Sequence, residues 1–240
     1  MQFQKYIKAV GTGPKSNREL TKNEVIDAIN KILKKEVVNE RITAFLLGWR
    51  VRLETNAELK AVVESCDKYI KKEDIANSIE LGYAYDGKNK TTYLFPLIAK
   101  YLKAFDLNLI ISGDVLQPAK KGITTKMICE NIKLEDNIKY FDRAKYFKEL
   151  SALSELRNIL GLRTAFNTTE KLSNVATSDF AVTAAFHKPY VEKYHDIFGK
   201  KYKNLVILKG GEGAPEFFDK CKYWIKNGEE TIEHVIDPNE

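Results

Sequence analysis

The apolar residues fall into two regimes along the chain. Up to about residue 75 they recur at helical spacing. Thr21-Lys22-Asn23-Glu24 forms a capping box, and Val25, Ala28, Ile29, Ile32 and Leu33 follow it on one face. Ile42, Phe45, Leu46, Trp49 and Leu53 repeat at i, i+3, i+4, i+7 and i+11, which predicts a second helix with all five turned inward. Thr55-Asn56-Ala57-Glu58 is another capping box, opening a helix that buries Leu59, Val62, Val63, Cys66 and Ile70. Stripes of this width are stable only against neighbours, so residues 1–75 are expected to form a small helical domain.

After Lys72 the pattern changes. Residues 107–112, 180–186 and 204–209 are short apolar runs that read as buried strands, while 93–105, 147–160 and 190–198 carry helical spacing. Such alternation predicts an α/β domain over residues 76–240 with a mostly parallel sheet covered by helices. Residues 222–226 and 231–236 read as a closing pair of short strands.

Composition narrows the setting. No apolar run reaches the roughly 20 residues that span a bilayer, and the N-terminus has no apolar signal region. Cys66, Cys129 and Cys221 are too few and too scattered for a disulfide framework or a zinc site. A cytoplasmic protein without a membrane partner is expected. The net charge of +6 is uneven: residues 211–240 hold eight acids against three lysines, leaving +11 on the first 210 residues. A basic body favours a polyanionic partner.

Conventional catalytic constellations are missing. His187, His195 and His234 lack ligands at metal spacing, and no G-x-S-x-G, Walker A or G-x-G-x-x-G run joins a strand to a helix. What remains are three basic strand-to-helix turns suited to phosphate. The first carries Asp86, Gly87, Lys88, Lys90 and Thr91 and leads to a helix at Tyr93. The second comprises Ser112 and Gly113 with Lys120, Lys121 and Lys126. The third runs from Arg163 through Asn167 to Lys171, after a helix that carries Arg157. Strand C-termini in open α/β sheets face one crevice, so the three turns are expected to converge. Tyr83, Tyr85 and Tyr93 are candidates to stack on unpaired bases.

Several segments resemble one family in order along the chain. Tyr6 to Gly13 with Arg18-Glu19-Leu20-Thr21, Phe45 to Thr55, Tyr85 to Lys90, Leu160 to Leu172 and Lys209 to Glu216 are similar to segments of the anthranilate phosphoribosyltransferase-like proteins, in particular a nucleic-acid-binding branch of the YbiB type. The resemblance implies a helical domain on an α/β domain of the phosphoribosyltransferase and nucleoside phosphorylase type, shortened at its C-terminal side relative to the family, and a homodimer through the helical domain. Family members hold phosphoribosyl pyrophosphate on a Gly-Thr-Gly-Gly-Asp turn and magnesium on an Asp-Glu pair. Here Tyr83-Ala84-Tyr85-Asp86-Gly87 and Pro215-Glu216 stand at those places. The resemblance therefore implies a scaffold that binds single-stranded DNA or RNA independently of sequence, with no catalytic residue and no cofactor. The alternative is a glycosyl or phosphoribosyl transferase for an unidentified phosphorylated sugar, with Glu212 or Glu216 as its weak magnesium ligands.

Overall fold

The computed structural model describes residues 2–227 and 230–237. Glu229, Pro238 and Glu240 of the acidic C-terminal stretch lie outside the described residues. The helical domain contains α1 (Gln4–Gly11), α2 (Lys22–Leu33), α3 (Asn39–Arg52) and α4 (Asn56–Asp67). Both capping boxes form: Thr21 accepts the Glu24 N–H, Thr55 accepts that of Glu58, and each glutamate returns to its cap. The inward stripes pack as their spacing requires, with Val25, Ile29, Ile32, Phe45, Trp49 and Val62 fully buried.

Leu53 departs from its stripe. It follows the last turn of α3 in a left-handed conformation (φ +71°), which swings its side chain into solvent.

The second regime builds a seven-stranded sheet in the order β3-β2-β1-β4-β5-β6-β7. Its strands are β1 (Ser78–Gly82), β2 (Asn108–Gly113), β3 (Ile138–Asp142), β4 (Phe180–Ala184), β5 (Asn204–Leu208), β6 (Cys221–Asn227) and β7 (Glu230–Ile236). The first five are parallel, and β6 and β7 add an antiparallel edge. Helices α5 (Phe95–Lys103), α6 (Thr125–Asn131), α7 (Arg143–Tyr146), α8 (Lys148–Ser151), α9 (Ser154–Leu160), α10 (Ala165–Thr169) and α11 (Pro189–Phe198) connect them. The apolar pattern of 147–160 is split between α8 and α9, and the helix expected at Tyr93 begins at Phe95, next to Pro96 in its first turn.

Two strands lack a sequence signature. β1 sits at the sheet centre yet carries Glu80, fully buried and satisfied by the Ser173 N–H (3.0 Å) and the Tyr202 hydroxyl (2.7 Å). β3 is an outer strand of mixed polarity. One continuous core joins both halves, from Phe3 and Trp49 through Phe166 and Phe198 to Trp224. Tertiary burial, rather than a linker, fixes how the two halves meet. Among the described residues no helix is long and apolar enough to cross a membrane.

Candidate functional site: a self-occupied anion cleft

Chain order reverses between β1 and β4, the point at which open α/β sheets leave a crevice. A cleft of about 880 Å³ opens there. It is lined by Ala84, Tyr85 and Asp86 beyond β1 and by Ala184, Phe186 and His187 at the end of β4 and beyond it. Asn89, Lys90 and Thr91 stand on one side with Lys120, and Arg163, Thr164, Asn167 and Lys171 on another. Tyr190 and Tyr194 of α11, the Gly211–Gly213 turn after β5 and Arg50 of α3 complete the wall.

The first turn is held by its glycines. Gly87 (φ +72°) packs on Gly122, where a Cβ would stand 2.6 Å from the Gly122 carbonyl carbon. That close approach lets Lys88 and Ile123 exchange backbone hydrogen bonds at 2.9 and 2.8 Å, and so fixes Lys120 at the cleft wall. Gly87 is therefore a packing residue. The first and third turns converge as expected. The second does not, apart from Lys120: Ser112 is buried with its carbonyl accepting the Thr125 hydroxyl at 2.8 Å, and Gly113 packs on Thr125. Lys126 pairs with Asp142 (2.6 Å) and Glu130, and Lys121 is exposed without lining the cleft.

Two expected phosphate contacts are withdrawn into the protein. Lys88 is buried, with its ammonium against Glu216 and the Thr92 carbonyl, above the rings of Tyr93 and Phe218. Arg157 is also buried and donates twice to Glu170 at 2.7 and 2.8 Å. Arg143 adds a bond to Glu170 and one to Asp114 at 2.5 Å. Burial alone would raise the Glu170 carboxyl, but Arg157 and Arg143 hold it below the usual carboxylate range. Neither Lys88 nor Arg157 can reach a ligand. Tyr83 and Tyr85 are buried too, bonded to Glu216 and Tyr146, so neither can stack on a base.

The cations that do line the cleft are already in contact with the chain. Arg163, about half exposed, pairs with buried Asp86, and Lys120 stands 3.9 Å from the same carboxylate. Asn167 braces the wall: its carbonyl oxygen accepts the Thr164 N–H (2.9 Å) and its amide donates to the Pro118 carbonyl (2.7 Å). Lys171 donates to the carbonyls of Ala184 (2.7 Å) and Gly213 (3.0 Å) without a bonded carboxylate. Burial pushes its ammonium down to about 7; Asp86 opposes that shift, while Arg163 and Lys120 reinforce it.

The two glutamates do not fit magnesium. Glu216 accepts the Tyr83 hydroxyl and the Leu94 N–H, each at 2.6 Å, and carries Lys88 on its other oxygen. Glu212 is spent on the backbone: it accepts the N–H groups of Asn89, Lys90 and Thr91 at 3.0–3.1 Å and the Thr91 hydroxyl at 3.0 Å. Burial would raise its carboxyl, but these donors bring it down. Among the described residues no group of three or more His, Cys, Asp or Glu side chains is placed to hold a metal ion.

Phe186, His187, Tyr190 and Tyr194 form an aromatic wall absent from the sequence-based candidates. The apolar run 180–186 reads as uninterrupted strand, whereas β4 stops at Ala184 and leaves Phe186 and His187 exposed at its C-terminal end. The rule that ligands gather beyond strand C-termini could have singled them out.

Comparison with known proteins places this geometry. Residues 4–68 match the helical bundle domain of a glycosyl transferase family. The chain is 29% identical over 223 residues to an uncharacterised protein of Aquifex aeolicus, covering 91% of this chain and 71% of that one. It is 24% identical over 244 residues to an anthranilate phosphoribosyltransferase of Caldicellulosiruptor saccharolyticus, covering 94% and 72%. The anthranilate phosphoribosyltransferase structure from Thermus thermophilus superposes with a TM-score of 0.74 at 17% identity, covering 99% of this chain and 73% of that one. The Saccharomyces cerevisiae enzyme in complex with PRPP and Mg gives 0.70 at 13%, covering 97% and 72%. The chain thus resembles the anthranilate phosphoribosyltransferases in sequence, carries the helical bundle of a glycosyl transferase family over residues 4–68, and shares their fold.

Proposed function

We propose that the cleft binds a phosphorylated sugar and that the chain is a glycosyl or phosphoribosyl transferase of altered chemistry. The observation that carries this reading is the convergence of Lys90, Lys120, Arg163 and Lys171 at the β1/β4 switch point, facing an aromatic wall. Lysines and an arginine meet the charge of a phosphate leaving group, while Tyr190 and Phe186 offer a flat face to a ring acceptor. Relatives named as anthranilate phosphoribosyltransferases on the same fold support it. Because Lys88 is the cation bonded to Glu216, we infer that binding does not require magnesium. Calorimetric titration with phosphoribosyl pyrophosphate and ribose 5-phosphate, with magnesium and with a chelator, tests this. Saturable binding in both buffers is expected; binding only with magnesium contradicts it.

A second reading is sequence-independent binding of single-stranded nucleic acid, as in the nucleic-acid-binding branch. Exposed Phe186 and His187 lining the same cleft as Lys90 favour it, since stacking and phosphate contact then share one groove. With Lys88 and Arg157 buried, about three neutralised phosphates predict a log K against log salt slope near −2. A dimer through the helical domain is also proposed, since Leu47 and Val51 lie exposed one turn apart on α3. Sedimentation of Val51→Lys as a monomer, against a wild-type dimer, checks it.

A further inference from the structure

The Asn89–Thr91 amides form a concave nest of the kind that binds phosphate oxygens, and in this chain a carboxylate sits in it. We propose that Glu212 is a resident stand-in for a phosphate group, and that a phosphate-bearing ligand reaches these amides by displacing it. The inference rests on the cleft being a phosphate site, as argued above.

Four observations carry it. The Glu212 carboxylate receives three successive N–H groups and one hydroxyl, the donor set a phosphate would use, yet no cation contacts its oxygens within the described residues. It is partly exposed at the cleft wall, unlike Glu216, which is sealed beneath it. Its backbone is in the left-handed region (φ +57°, ψ 14°), unfavourable for a residue with a Cβ, so the native contacts hold it there. Finally, the same turn occupies two cleft lysines: Lys120 donates to the Glu212 carbonyl at 2.8 Å and Lys171 to that of Gly213 at 3.0 Å.

Three glycines bracket the turn. Gly210 anchors one end, since a Cβ there would lie 1.8 Å from the Ala214 carbonyl oxygen. Gly211 and Gly213 flank Glu212 with open space around them. Swinging Glu212 out frees the three amides, the Thr91 hydroxyl, Lys120 and Lys171 together. A dianionic phosphate can hold all of these, whereas a single carboxylate holds only the amides and the hydroxyl. A protein that samples the open turn only fractionally binds its ligand more weakly by that fraction.

The test is calorimetric titration of inorganic pyrophosphate into the wild-type chain, Glu212→Ala and Glu212→Gln, with amide ¹⁵N shifts followed for the wild type. Both variants should bind about ten-fold more tightly than wild type, and the Asn89, Lys90 and Thr91 amides should shift as the wild type saturates. Should Glu212→Ala fail to fold, Glu212→Gln keeps the side chain's size and carries the comparison. Wild-type binding that the variants leave equal or weaken, or wild-type saturation with the three amides unmoved, overturns the displacement and leaves the cleft reading standing. No binding by any of the three proteins overturns both.

Discussion

Glu58 and Glu212 both accept backbone N–H groups, one in the helical domain and one at the cleft, and their surroundings separate two uses of charge. Glu58 is sealed: it accepts the N–H of Leu20 at 2.7 Å and of Thr55 at 2.8 Å, and Arg52 neutralises it. Its bonds tie α4 to the chain before α2. Glu212 holds a similar number of donors but stands at a cavity wall without a cation on its carboxylate among the described residues. The first arrangement is fold; the second is a site with its own chain in it. Hydrogen-bond counts do not distinguish them, whereas access and charge balance do.

That contrast can be broken most severely at the buried cluster behind the cleft. Glu170→Ala leaves buried Arg157 without its carboxylate and Arg143 with Asp114 alone, and should cost about 3–5 kcal/mol in urea denaturation or prevent folding. Glu58→Ala removes a capping box, a long-range bond and an arginine partner, for about 2–3 kcal/mol. The matched Glu212→Ala should cost less than about 1 kcal/mol, because the carboxylate is only partly buried and water can replace it on the Asn89–Thr91 amides. Equal losses for Glu58→Ala and Glu212→Ala would erase the distinction.

A smaller effect concerns Lys171. The unfolded chain keeps this proton up to the ordinary lysine range, while the folded chain releases it at about 7. Unfolding therefore takes up a proton between those values, and the stability contribution of Lys171 rises with pH across that window. Anion affinity should move the opposite way, falling several-fold as pH climbs through about 7. Both dependences should flatten in Lys171→Met, as read by melting temperature and pyrophosphate titration across pH.

How much of this could be read from the chain follows the same division. The helical domain was legible because capping boxes and apolar spacing are local: Thr21, Thr55, Phe45 and Trp49 do in the fold what their positions predict. Among the strands, β2, β4 and β5 announced themselves as apolar runs. β1 did not, because buried Glu80 breaks its run and finds its partners in Ser173 and Tyr202, 93 and 122 residues away. The cleft was legible as a set of turns but not as a set of contacts. Lysine type and position cannot reveal that Lys88 meets Glu216 across 128 residues while Lys120 remains at the wall. Likewise, Glu212 read as a possible metal ligand only because its actual partners are main-chain amides with no side-chain signature.

A structure of the chain with ribose 5-phosphate bound decides whether the cleft is a phosphate site that Glu212 fills in the ligand's absence. The phosphate is expected within hydrogen-bond reach of Lys120 and Arg163, the Glu212 carboxylate out of the Asn89–Thr91 nest, and Lys88 still on Glu216. A phosphate held elsewhere on the surface, with the cleft as it stands here, would contradict it.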